Sequence, residues 1–295
     1  MKYTNKHNLP DPLVQALIRD DYDAGGANRS VTALVGPPRI YQLHLRHFDK
    51  IVVDVANRLF MLDGKEMHYA LEMAGLKNAI VEERLYCKWG GWLISGKPDC
   101  YYKQIVSDWK KTSVWKLLLG DLNDWEAQLN LYGWLFVEAG FAVDGLELWL
   151  KLRDWRRSEF RRDPKHYPPV PFKVAPVPIW SDDKLDKYLT ERVAAHKAAD
   201  GVPDDVLPYC TPEERWARSD KWAVMRIGRK TAVSVKDSQE EAEAMMKEKN
   251  KKPNVKKHHV EFRPGASVRC EEGFCEVAPF CNQYKESWHS CWFSR

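Results

Sequence analysis

Gly96-Lys97-Pro98-Asp99 and, nine residues further on, Asp108-Trp109-Lys110 are the stretches on which the fold turns. They sit among three short β-prone runs, Ala79 to Tyr86, Trp92 to Tyr101 and Gln104 to Lys110. Gly90-Gly91 and the Tyr101-Tyr102-Lys103 corner separate these runs, a pattern that predicts consecutive antiparallel strands. Residues two apart in a strand share a face, so Asp108 and Lys110 point one way and Trp109 the other. If the last two runs are hairpin neighbours, Asp99 meets Asp108 across the sheet. Two carboxylates so placed repel unless a cation intervenes, and a hard divalent ion with oxygen ligands is the natural resident. Lys110 beside them can orient a water or balance phosphate charge. An isolated Asp-x-Lys is more often a solvated strand end, so the surroundings decide.

Outward from this centre, Ser30 and Thr32 offer N-caps for a short helix that stops at Gly36-Pro37-Pro38. A helical pattern runs from Tyr41 to Arg58, and another follows Asp63-Gly64, carrying His68 in its first turns and ending near Gly75. Downstream, a strong helix starts at Asp121 or Asn123 and stops at Gly140, and Phe141 to Leu152 reads as a strand. Residues 161–180 hold six prolines, which excludes a continuing helix or a central strand. Asp182 to Ala199 is an amphipathic helix. Beyond it, Trp222 to Val235 resembles a hairpin turning at Gly228, Ser238 to Lys247 a helix, and Val260 to Arg269 a strand interrupted at Pro264-Gly265. The expected organisation is a polar, loosely ordered lead-in (1–29), an α/β core (30–200) with a mixed central sheet flanked by helices, and a small α+β subdomain bearing cysteines (201–295).

Composition bounds the rest. With 295 residues, 44% hydrophobic and 30% charged, the chain can bury a substantial core and is not disordered or low-complexity. No apolar run is long enough to span a bilayer and Met1 to Pro10 lacks a signal-peptide core, so the cytoplasm is the default compartment, with no membrane partner. The net charge of +4 is compatible with a polyanion but does not demand one. Of the 13 tryptophans, most should anchor the core and some are available to stack on bases.

The ordered set resembles a known family. Gly96-Lys97-Pro98-Asp99 followed by Asp108-Trp109-Lys110 looks like the bipartite signature of the PD-(D/E)XK nuclease superfamily. Gln128 and Tyr132, four apart on one helix face, resemble the additional motif of its RecB-type exonuclease branch. Gly64-x-x-x-His68 fits the place of that branch's upstream metal-binding histidine. The resemblance covers about residues 30–190 and implies a restriction-endonuclease-like core. It implies that His68, Asp99 and Asp108 ligate Mg²⁺ or Mn²⁺, that Lys110 assists the attacking water, and that Gln128 and Tyr132 position the substrate strand or the water shell. Some members carry a further acid on the first strand. Glu82 and Glu83 both occupy that place, and periodicity does not choose between them.

Seven cysteines in a reducing compartment read as thiols or metal ligands. Cys270, Cys275 and Cys281 cluster near the C-terminus, with Cys210 some sixty residues before them, and four thiolates can hold Zn²⁺ or an iron–sulfur cluster. Some RecB-like relatives hold a 4Fe-4S cluster by one remote and three C-terminal cysteines. There the remote cysteine precedes the nuclease core, whereas Cys210 follows it, so Zn²⁺ stays open. Cys291, His258, His259 and His289 are possible substitutes, and Cys87 and Cys100 read as ordinary strand residues. Lys221, Arg226, Arg229, Lys230 and the run Lys249 to Lys257 are available for phosphate contact.

The reading is a metal-dependent deoxyribonuclease, exonuclease-like, serving phage or bacterial DNA recombination, repair or processing. Its partner is DNA, with a recombinase, single-strand-binding protein or helicase acting in trans, since no ATP-binding loop G-x-x-x-x-G-K-[ST] is present. The rivals are a non-catalytic DNA-binding or assembly protein that keeps the fold, and a zinc-binding interaction module carried on the core.

Overall fold

Strands and helices alternate through the first two thirds of the chain, in a computed structural model that describes residues 1–19, 23–120, 122–251 and 257–286. The strands there are β1 (Lys2–Thr4), β2 (Arg29–Ser30), β3 (Val52–Asp54), β4 (Ile80–Val81), β5 (Leu85–Trp89), β6 (Trp92–Gly96), β7 (Cys100–Tyr102), β8 (Ile105–Thr112), β9 (Gly145–Leu152) and β10 (Phe172–Val177). The helices are α1 (Asp11–Ile18), α2 (Val31–Val35), α3 (Pro38–His47), α4 (Leu59–Met73), α5 (Val114–Leu118), α6 (Asn123–Glu138), α7 (Arg157–Arg162) and α8 (Asp182–Ala199). These elements make up one compact unit, Met1–Pro203, and Asp204–Arg295 forms a second.

A five-stranded mixed sheet, in the order β10-β9-β8-β7-β4, organises the first unit. Its central pair β8 and β9 is parallel and the other pairings are antiparallel. Parallel neighbours need a crossover, which α5 and α6 supply. The middle of helix α6 is apolar almost all round and is accordingly buried: Leu129, Leu131, Tyr132, Leu135 and Phe136 share one core with Leu146, Leu148 and Leu150 of β9, Val31 and Leu34 of α2, and Leu189 and Val193 of α8. The carbonyls at the end of α2 are closed by α8, where Arg192 donates to Leu34 O at 2.9 Å and also to Gly36 O. His196 Nε2 lies 3.1 Å from Leu34 O.

Several sequence expectations need correction. The expected single meander is two hairpins in two sheets, because β5 and β6 pair with each other and with β2, while β7 and β8 belong to the five-stranded sheet. The break falls at Lys97-Pro98, where a proline cannot donate to the ladder. The expected helix Tyr41 to Arg58 ends at His47, and β3 follows it. The β-branched run Ile51-Val52-Val53 takes a parallel partner in β1, so the expected loose lead-in carries both a strand and α1, with Leu17 buried. Helix α4 begins at Leu59, ahead of Asp63-Gly64. Helix α6 has Leu122 at its N-cap position, and Asp121 lies outside the described residues. In the proline-rich stretch, β10 is an edge strand, the place where Pro176 is tolerated.

In the second unit, β12 (Lys221–Arg226) lies between β13 (Ser234–Lys236) and β14 (His258–Arg263), both antiparallel to it. A short pair, β11 (Ala217–Arg218) with β15 (Ala266–Ser267), stands beside them, and Gly265 approaches Arg218 O too closely for any Cβ. Helix α9 (Gln239–Asn250) is capped by Ser238, whose hydroxyl accepts the Glu241 N–H. A short helix α10 (Val268–Glu271) carries Cys270. Among the described residues, no helix is long and apolar enough to cross a membrane.

Candidate active site and cysteine cluster

The β7–β8 hairpin places the acidic pair. Lys103 and Gln104 adopt left-handed backbone (φ 50° and 64°), as a two-residue hairpin turn requires, and the register sets Cys100 opposite Ser107. Continued by one residue, that register puts Asp99 opposite Asp108. Both are buried, at 5% and 2% exposure. Asp99 Oδ2 accepts the Trp109 N–H at 2.5 Å. Burial first, and then the charge of Asp108, push the Asp99 carboxyl up to about 7, against the pull of His68, the Trp109 N–H and Lys110. Lys110 Nζ lies 2.6 Å from Asp108 Oδ2, as expected for residues two apart on one strand face.

His68 reaches this pair from α4. Its Nδ1 is 3.4 Å from Asp99 Oδ1 and 2.7 Å from Glu82 Oε1. The bond to Glu82 raises the His68 pKa, burial opposes it, and Asp99 and Asp108 add to the rise. Glu82 is pushed up by burial, but the bonds from His68 and from Lys97, whose Nζ is 2.7 Å from Glu82 Oε2, outweigh this and hold it below the usual carboxylate range. His68, Glu82 and Asp99 each offer a ligand atom within 4.8 Å of the other two, the one such metal-ligand set among the described residues. Asp108 adjoins Asp99 and is engaged by Lys110.

Of the two acids between which periodicity does not choose, Glu82 is the one that reaches His68, and Glu83 is exposed. Glu82 follows β4 in left-handed backbone (φ 55°), which breaks the two-residue alternation that would have revealed its face. Lys97 likewise had no assigned role on the sequence.

On α6, Gln128 Nε2 donates to the Tyr132 hydroxyl at 2.9 Å. Tyr132 is buried, and burial together with the charge of Asp108 pushes its hydroxyl well above the usual range, so it stays protonated beside the acids. A Cβ on Gly96 would lie 2.5 Å from Leu135 Cδ1 and 3.0 Å from the Tyr132 ring, so glycine is what lets α6 approach β6 this closely. The structure thus brings His68, Glu82, Asp99, Asp108, Lys110 and Tyr132 together, with Gln128 attached through Tyr132.

In the second unit, Cys210, Cys275 and Cys281 are buried and Cys270 half-buried. Burial pushes the Cys270 thiol up to about 11, with Cys275 and Cys281 close enough to raise it further and Arg215 and Arg269 pulling it down. The Cys210 backbone is held by Gln283, whose side-chain amide accepts the Cys210 N–H and donates to the Cys210 carbonyl, both at 2.9 Å. The Nε atoms of Arg215 and Arg269 are buried without a hydrogen-bond partner among the described residues. Among the described residues, no three of these thiols bring their sulfurs within 4.8 Å of one another, the spacing that His68, Glu82 and Asp99 reach in the first unit. His258 is instead clamped by Asn250 through its backbone, and His259 is exposed. Cys87 and Cys100 lie on β5 and β7. Cys291 and His289 lie outside the described residues, as does most of the Lys249 to Lys257 run. Lys221 pairs with Asp237, and Arg229 donates to Thr231.

No protein-family model matches the chain, and no curated protein matches it in sequence. Among solved structures, that of SSO0001 superposes with a TM-score of 0.44 at 18% identity, covering 65% of this chain and 84% of that one. A phage-related exonuclease from Haemophilus somnus 129PT superposes with a TM-score of 0.30 at 13% identity, covering 65% and 82%.

Proposed function

We propose that the chain is a metal-dependent deoxyribonuclease with a restriction-endonuclease-like core, its active site formed by His68, Glu82, Asp99, Asp108 and Lys110. The observation that supports this reading is the facing pair Asp99 and Asp108, buried together with His68 and Glu82 in reach on one side and Lys110 on the other. Without a cation the pair is electrostatically frustrated, and one of its members holds a proton up to about pH 7. Donors of this kind, carboxylates with one imidazole, suit Mg²⁺ or Mn²⁺. A divalent ion bound there lowers the pKa of a water and neutralises charge developing on a phosphate. Lys110, tethered to Asp108, supplies a fixed positive charge for the attacking water or the oxyanion. Lys97 and His68 hold the Glu82 carboxylate ionised and oriented. Gln128 and Tyr132 give a neutral donor pair beside the acids, able to position a substrate phosphate.

The substrate of this reading is DNA, cut in an exonuclease-like manner in phage or bacterial recombination, repair or processing, with any helicase, recombinase or single-strand-binding protein supplied in trans. Cys210, Cys270, Cys275 and Cys281 hold a metal group in the second unit, a 4Fe-4S cluster or Zn²⁺. Absorbance near 400 nm, read with metal analysis, separates these two.

The test is cleavage of end-labelled linear and covalently closed circular DNA with Mg²⁺, Mn²⁺ or EDTA, comparing the native chain with Asp108→Ala. Metal-dependent loss of linear DNA alone, abolished by the substitution, is the expected result, and cutting of circles makes the enzyme an endonuclease. Binding without cutting under every metal overturns the reading in favour of a non-catalytic DNA-binding protein.

A further inference from the structure

Residues 151–165 hold seven Lys and Arg against three Asp and Glu, a surplus of four that equals the formal net charge of the whole chain. They run from the end of β9 into and just past α7. Here α7 and the start of α5 enclose a cavity of about 350 Å³ lined by Trp115, Asp154, Arg156, Glu159, Arg162 and Tyr167. Its acids are already engaged, since Asp154 Oδ1 accepts the Val114 N–H at 2.7 Å and Glu159 pairs with Arg162. Its turn is fixed as well, the Tyr167 hydroxyl accepting the Arg156 N–H at 3.0 Å.

Two groups in this cavity have no such engagement. The Arg156 guanidinium is exposed and has no hydrogen-bond or ion-pair partner among the described residues. Trp115 is 64% exposed, and its indole meets no other ring and no hydrogen-bond partner among them. An open indole face and an uncommitted cation in one cavity are the two elements that bind a single nucleic-acid strand, the ring stacking on a base and the cation holding its phosphate. A base inside a duplex has no free face, so such a site selects an unpaired strand. The cavity also lies close to the acids along the chain. Val114 follows Lys110 by four residues, at most about 14 Å of extended backbone.

We propose that this cavity is a single-strand clamp, in which Trp115 stacks on an unpaired base and Arg156 holds the adjoining phosphate. It rests on the nuclease reading above and gives that reading its substrate class, an unpaired or frayed DNA strand led toward Asp108 and Lys110.

The experiment measures fluorescence anisotropy of a labelled oligothymidylate, alone and annealed to its complement, with the full chain in EDTA. Trp115→Ala is expected to weaken single-strand binding about fivefold or more while changing duplex binding less, and Trp115→Phe to restore most of it. Arg156→Ala is expected to weaken binding and to lower the slope of log affinity against log salt by about 0.7. Native-like single-strand affinity in both alanine variants overturns the clamp, as does an equal loss for duplex and single strand in Trp115→Ala. Cleavage in Mg²⁺ is followed in parallel for the native chain. Cleavage with unchanged binding by the variants breaks the clamp alone. Weakened binding by the variants, with no cleavage by the native chain, breaks the nuclease reading and leaves the clamp standing.

Discussion

The two units differ in the groups that surround their candidate sites. In Met1–Pro203 the acids Asp99 and Asp108 face each other out of water and call for a cation, and the ligands on offer are hard oxygens and one imidazole. In Asp204–Arg295, among the described residues, the Nε atoms of Arg215 and Arg269 are the buried side-chain donors without a partner, and both arginines lie near the Cys270 thiol. In the proposed reading a labile, oxygen-loving ion of the kind that does chemistry relieves the first imbalance, and a thiophilic metal of the kind that staples a fold would relieve the second. Such a contrast predicts that the two sites lose different metals, with different consequences.

The sharpest way to break the contrast is at the acids. Asp108→Ala or Lys110→Ala should lower metal-dependent cleavage by roughly 10³-fold or more, on the scale of losing one transition-state charge partner. The thiol-bound metal should be unchanged, as measured by metal analysis of the same samples. At the other site, Cys270→Ser with Cys281→Ser should release the thiol-held metal and lower the melting temperature, while the core still takes up Mn²⁺ by titration. A melting curve that does not move would remove the staple from the picture.

Glu82→Gln sharpens the comparison within the core. It keeps the shape and removes one anionic ligand, so the Mg²⁺ concentration for half-maximal cleavage should rise about 10- to 100-fold while the plateau rate falls less. Proton competition gives a further handle. Asp99 has its folded pKa raised to about 7 from an unfolded value of 3.8, so the native metal-free chain binds more protons than the unfolded one in that window. Stability of the metal-free chain should therefore fall as pH rises from about 4 to 7, and Mg²⁺ affinity should climb through the same range. Asp99→Asn should abolish the metal response and flatten this decline in a pH series of thermal melts.

His196 runs the other way. Buried against Arg192 and Arg29, it is held down to about 4 from 6.5, so its contribution is complete above 6.5 and is lost as pH falls toward 4. The smallest expected effect is at Gly96. An alanine there meets Leu135 and Tyr132 and should cost about 1–3 kcal/mol by overpacking, read as a lower melting temperature with metal binding intact.

Local spacing makes much of this legible in the sequence. The Asp99–Asp108 register follows from a tight hairpin, the Asp108–Lys110 pair from strand alternation, and the Gln128–Tyr132 bond from helical periodicity. What local spacing could not carry was non-local or conformationally irregular. Strand β3 depends on a parallel partner fifty residues upstream, so its residues read as a continuing helix. The left-handed Glu82 hides its own face, and the split of the meander at Pro98 depends on which sheet each hairpin joins. The surplus of arginine after β9 was masked by the prolines that follow it, and only the folded chain sets Arg156 beside Trp115.

The outer strand β10 has one more implication. Pro176 leaves a gap in its row of donors, and at the far side of the sheet β4 is only two residues long. Neither rim offers the unbroken ladder that an incoming strand needs. Strand addition at these two rims is thus disfavoured, so a partner of this sheet is better recognised through side chains than through backbone.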